Sequence, residues 1–160
     1  MSTHDEFTNM IEQLYALDRI LTAMQKKPHV YSGVSLHSTE AHTLKMIALN
    51  EGISQAELSD QMLRTKGATS VMVDKLVEKD LVRRERVGED QRRYLLTLTG
   101  KGQTVHAAHM TYDSLHMQKL DRELTLTEED LEVTCRTLEK IIGYYSRNYL
   151  DHGKAVTPEL

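Results

Sequence analysis

Between residues 54 and 102 the hydrophobic period changes from helical to strand-like, and few small folds accommodate that change. Ser54-Gln55-Ala56-Glu57 is a capping box in which side chains and orphan backbone donors satisfy each other. It opens a short helix with Ala56, Leu58 and Met62 as apolar anchors. After a brief turn Thr65 caps a second helix to about Lys79, with Ala68, Val71, Met72, Leu76 and Val77 facing inward. Two short helices joined this tightly predict a helix-turn-helix. Residues 81–87 and 93–98 then alternate as two strands around Gly88-Glu89-Asp90-Gln91, a hairpin with a charged tip closed by Gly100 and Gly102.

Helical segments flank this unit. Phe7, Met10, Ile11, Leu14, Leu17, Ile20, Leu21 and Met24 recur at the spacing of an amphipathic helix over 7–27. Pro28 and Gly33 open a loop to about residue 36. Ser38 or Thr39 caps the next helix, with Leu44, Ile47 and Ala48 inward and Gly52 as its stop. A long helix is expected from Lys101 to about Arg122, and a last one, capped within Thr125-Leu126-Thr127-Glu128, ends near Tyr149. Residues 150–160 read as a polar tail. The expected fold is mainly α with a small β-hairpin wing: a winged helix-turn-helix with N- and C-terminal amphipathic helices. It forms a single domain over 1–160, with the lobe at 36–100 and a helical layer from 7–27 and 101–149.

The net charge of −4 argues against a nucleic-acid partner until its distribution is considered. Residues 60–101 carry +3, whereas the remainder carries −7. Such asymmetry permits a local basic surface on an acidic body. The acidic N-terminus, the lack of a long apolar run and the single Cys135 predict a soluble, cytoplasmic protein with no membrane association. Cys135 reads as a packing residue. The absence of nucleophile-elbow, Walker, zincin and dinucleotide-turn motifs argues against an enzyme.

In a helix-turn-helix the second helix enters the major groove. Thr65, Lys66, Gly67, Thr69 and Ser70 stand near its start, and Lys75 follows one turn later. Thr and Ser suit bases or phosphates, while the lysines suit phosphate. Arg84, Arg86, Asp90, Arg92 and Arg93 place further charge on the hairpin, where Arg92 can enter an adjacent minor groove with Asp90 steadying it.

At these residues the chain resembles the MarR family. Asp90, Arg92, Leu98, Thr99 and Gly102 meet its wing pattern, and Leu36, Leu44, Leu58, Ser59, Thr65, Ser70, Val73, Leu76, Leu81 and Val82 meet its helix marks. The resemblance covers residues 10–148; Asp80 departs from it, standing where Gly usually ends the reading helix. It implies a DNA-binding regulator, commonly a repressor, that recognises a pseudo-palindromic operator as a homodimer. Its effector would lie in the cleft between dimer layer and DNA lobe. The competing reading is a metal-handling or structural helical dimer that uses the winged helix for protein contact.

The effector question turns on the histidines. His106, His109, Asp113 and His116 share one face of the long helix, with His109 and Asp113 at i and i+4, a spacing that suits one metal ion. His37, Glu40 and His42 open the second helix. The resemblance to the family's zinc-responsive branch implies a site at His42, His109 and Asp113, for zinc or another divalent transition metal. The branch's first-helix glutamate is replaced by Met24, so Glu40, His37 or His106 would substitute, or water would complete the shell. The branch's second metal site is missing, its positions being Val30, Ala41 and Ala108. Otherwise the cleft takes an unknown small-molecule effector, phenolic or fatty-acyl, or none.

Overall fold

A computed structural model describes residues 3–86 and 94–150. In chain order the elements are α1 (Thr3–Gln25), β1 (His29–Tyr31), β2 (Val34–Leu36), α2 (Ser38–Leu49), β3 (Ile53–Ser54), α3 (Gln55–Gln61) and α4 (Lys66–Glu78). There follow β4 (Val82–Arg86), β5 (Tyr94–Leu98), α5 (Gly100–Leu124), α6 (Glu128–Tyr145) and a π-helical turn at Ser146–Leu150. The mainly helical fold with a small hairpin stands as expected. The charged tip with Asp90, Arg92 and Arg93 lies outside the described residues.

Both helices of the central motif begin on the anticipated caps. The Ser54 hydroxyl accepts from Glu57 N–H while the Glu57 carboxylate accepts from Ser54 N–H, and Thr65 Oγ1 accepts from Ala68 N–H. Both also stop alike. Leu63 and Asp80 take positive φ (51° and 58°), and the following amides, Arg64 and Leu81, donate to Ser59 and Leu76 carbonyls. This is the Schellman closure, which usually uses glycine. Asp80 therefore does the family glycine's work in the left-handed conformation that Asp tolerates.

The segment expected to be a loop after Pro28 is instead the hairpin β1–β2, turned at Ser32 (φ 48°) and Gly33 (φ 81°). A third unforeseen strand, β3, joins β5, giving the antiparallel order β3-β5-β4. Register pairs Val82 with Leu98 and Arg84 with Leu96, so alternate apolar residues reach the core. α2 is capped one residue before the expected position, at His37, whose N–H donates to the Glu40 carboxylate at 2.8 Å. Thr125 ends α5 at φ 49°, and the box that starts α6 is Thr127 with Asp130.

Leu36, Leu44, Ile47, Leu58, Val73, Leu76, Leu81 and Leu96 are completely buried and hold the lobe together. Inward positions assigned to Ala56, Ala68 and Val71 are exposed instead, because the buried faces are those of Leu58 and Ser59 in α3 and of Thr69, Val73 and Leu76 in α4. Cys135 is likewise exposed rather than packed. α5 enters the core only through its first turns, at Gly102, Val105 and His109. A Cβ at Gly102 would overlap the Leu81 carbonyl oxygen, the same oxygen that accepts from Thr99 N–H. Gly102→Ala is therefore expected to lower unfolding free energy by about 1–3 kcal/mol, the range of an overpacked core. Chemical denaturation checks this; a loss below about 0.5 kcal/mol, the range of a neutral surface change, would contradict the close packing.

Candidate nucleic-acid interface and effector pocket

The outer face of α4 is open. Lys66, Gly67, Ala68, Val71, Asp74, Lys75 and Glu78 are exposed, and Ser70 is half-buried. Thr69, expected to touch DNA, faces the core at 1% exposure, and its hydroxyl donates to the Thr65 carbonyl at 3.1 Å. Val71, expected inside, stands outside at 57% exposure. Its position cannot be read from apolarity alone.

The hairpin cations are partly committed. Arg84 Nη2 donates to Asp74 Oδ1 at 2.6 Å, tying β4 to α4, and Arg86 lies over the Tyr94 ring at 5.6 Å. The first ties the base of the hairpin to α4; the second holds a charge over a ring of the neighbouring strand. Lys66 and Lys75 remain exposed along α4.

A cleft of about 260 Å³ is lined from four elements, none of them α4. Met24 comes from the end of α1, His29 and Tyr31 from β1, Ser38 and His42 from α2, and His109, Tyr112, Asp113 and His116 from α5. His42, His109 and Asp113 are thus brought together as expected. His109 Nε2 is 3.3 Å from Asp113, whose other oxygen accepts from Lys45 Nζ at 3.0 Å. Tyr31 meets His109 edge-on, and Tyr112 stacks on His116. Burial pushes His42 and His109 below the usual histidine range, with Lys45 adding to the effect and Asp113 opposing it. Neutral imidazoles are the ligand form for a metal.

The supplementary ligands are placed elsewhere. His106 faces a separate cavity with Glu51 and Gln103. His37 Nδ1 bonds the Gln25 carbonyl, and the nearly buried Glu40 is engaged by Lys79 Nζ at 2.8 Å. Each of these groups is drawn away by a partner or a wall the sequence could not reveal. Among the described residues no three of His, Cys, Asp or Glu converge to hold a metal ion. A cation at Asp113 would also share that carboxylate with the Lys45 ammonium, which already holds one of its oxygens. Against this, the Nδ1 atom of His109 is buried without a hydrogen-bond partner. The sequence missed Lys45 and His29, whose roles depend on contacts across the fold.

Glu40 is the junction between this cleft and α4. Burial would raise its carboxyl, but the hydrogen bonds from Lys79 and from His37 N–H outweigh that and hold it below the usual carboxylate range. A depressed acid stabilises the fold above its unfolded value, about 4.3, and that contribution is lost as pH falls through the lower folded value. Glu40→Gln should therefore cost about 1–3 kcal/mol at neutral pH. The gap to wild type should shrink on acidification below about pH 4; a gap independent of pH would contradict the assignment.

The MarR family model matches residues 32–93. Transcriptional regulator ZitR of Lactococcus lactis is 32% identical over 110 residues, covering 64% of this chain and 75% of the relative. Transcriptional regulator HosA of Escherichia coli is 31% identical over 101 residues, covering 62% and 73% respectively. BldR from Sulfolobus solfataricus superposes with a TM-score of 0.69 at 23% identity, covering 90% of this chain and 99% of that one. Streptococcus pneumoniae FabT, crystallised with DNA, gives 0.68 at 20% identity over 88% and 98%. These structural likenesses bear on the fold alone. Among the described residues no helix is long and apolar enough to cross a membrane. Matched by the family model through the lobe, and 32% identical to one of its regulators across three quarters of that regulator's length, the chain belongs to the MarR family of transcriptional regulators rather than to an enzyme family.

Proposed function

We propose that the protein is a homodimeric repressor that lays α4 in the major groove and responds to an effector in the histidine-lined cleft. The open face of α4, framed by Lys66 and Lys75 and backed by a rigid core, carries this reading. FabT and a mutant MarR of E. coli, which share the fold, were crystallised with DNA and with operator DNA respectively. The dimer follows from α1 and α6, which bury no residue in their own chain among the described residues. Their apolar side chains, including Phe7, Ile11, Ile141 and Tyr144, border a cleft of about 590 Å³ that a second copy would fill.

Gel shifts with DNA upstream of the protein's own gene test the interface. Arg92→Ala should weaken specific binding by about 1–3 kcal/mol if that guanidinium enters the minor groove. Lys66→Ala should weaken specific and random DNA alike and reduce the salt slope by about 1. An Arg92→Ala protein within twofold of wild type would contradict the wing contact.

The effector is an aromatic organic molecule on this reading, because tyrosine and imidazole rings line most of the cleft. A divalent metal is the second reading, favoured by the unpartnered His109 Nδ1. Either ligand would touch both the dimer layer and the lobe and so favour one arrangement of the reading helices. Calorimetry with zinc and, separately, with salicylate distinguishes them, using wild type, His42→Ala and His109→Ala. Saturable zinc uptake abolished in both variants would establish the metal and overturn the organic reading. Uptake of neither ligand would remove the effector assignment while leaving DNA binding intact.

A further inference from the structure

The outward face of α4 has an apolar centre. A helix turns by about 100° per residue, so with Val71 at zero, Gly67 and Lys75 fall at about 40° on either side. Ala68 and Asp74 fall at about 60°, whereas the buried Thr69, Val73 and Leu76 lie roughly 140–160° away. Val71 is thus opposite the core and exposed at 57%, whereas Met72 and Val77 of α4 are half-buried. One turn toward the N-terminus the surface is only Gly67 and Ala68; a Cβ at Gly67 would meet nothing within 4 Å. One turn the other way Asp74 is neutralised by Arg84 at 2.6 Å, so it does not confront a phosphate as a free charge. The patch that a groove floor would meet first is low, apolar and centred on one isopropyl group.

That surface has a defined complement. In the major groove the purine edges and the cytosine amino group are hydrogen-bonding groups, and the 5-methyl of thymine is the apolar feature. An isopropyl group pressed on an amino, carbonyl or ring nitrogen would strip its water and return no hydrogen bond. Pressed on a methyl it removes apolar surface from water on both sides. We propose that Val71 is a specificity-determining residue, and that each half-site carries a thymine whose 5-methyl group packs on it beside Gly67 and Ala68. This rests on α4 being the helix that enters the groove.

The test uses a duplex site selected from random sequence by the wild-type protein, with its thymines replaced one symmetric pair at a time by deoxyuridine, which lacks only the methyl. One pair should weaken wild-type binding by about fourfold for each methyl lost, the worth of one buried methyl group. Val71→Ala should be indifferent to that pair and bind random duplex like wild type; its unfolding temperature should be unchanged, since the side chain is exposed. If wild type still prefers the selected site over random duplex but tolerates every uridine within twofold, Val71 reads no methyl. A full uridine penalty in Val71→Ala would assign the methyl to another residue. A wild type with no preference over random duplex would overturn both this inference and the placement of α4.

Discussion

Two long helices that bury nothing within their own chain set the terms for the rest of the molecule. α1 has 23 residues and α6 has 18, yet their contacts leave Phe7, Ile20, Leu131, Ile142 and Tyr144 between 49% and 61% exposed. Helices of this length are only marginally stable in water without a packed face. The apolar core lies entirely between Tyr31 and Val105, so the terminal helices cannot draw stability from it directly. On the proposed reading a second copy would supply what one chain lacks, and the two lobes would then be carried at a separation fixed by the helical layer.

The joint between layer and lobe is narrow. α5 is anchored by Gly102, Val105 and His109, and the remainder of its 25 residues leaves the core. At that joint the end of α1 reaches His37 through the Gln25 carbonyl, His37 N–H holds Glu40, and Glu40 holds Lys79 beside the end of α4. Lys79 also donates to the Ser35 carbonyl of β2. The histidine cleft opens on the same elements, with Met24, His29, His42 and His109 in its wall. A ligand there would act on the few contacts that determine how the reading helix is carried.

The lobe was legible because its signals are local. Capping at Ser54 and Thr65 needs neighbours three residues away, and the strands Val82–Arg86 and Tyr94–Leu98 are marked by the change of hydrophobic period after Leu81. The hairpin β1–β2 was missed because its three-residue strands carry little periodicity, although Ser32-Gly33 between Tyr31 and Val34 is a recognisable two-residue turn. Thr69 and Val71 were exchanged for a different reason. A polar residue whose hydroxyl bonds to its own helix is as easily buried as an apolar one, and an apolar residue on a recognition surface is exposed for its use. The cleft was legible only in part: helical spacing placed His109 and Asp113 together, but the claim of Lys45 on Asp113 spans 68 residues.

The central claim is that two copies of α4, held by one helical layer, enter successive major grooves on one side of DNA. Hydroxyl-radical footprinting on a selected duplex site measures this directly. Two protected patches per strand, related by a two-fold axis and centred about 10 base pairs apart, are the expected result. A single protected patch with no two-fold relation, formed by a protein that binds the site specifically, would contradict it.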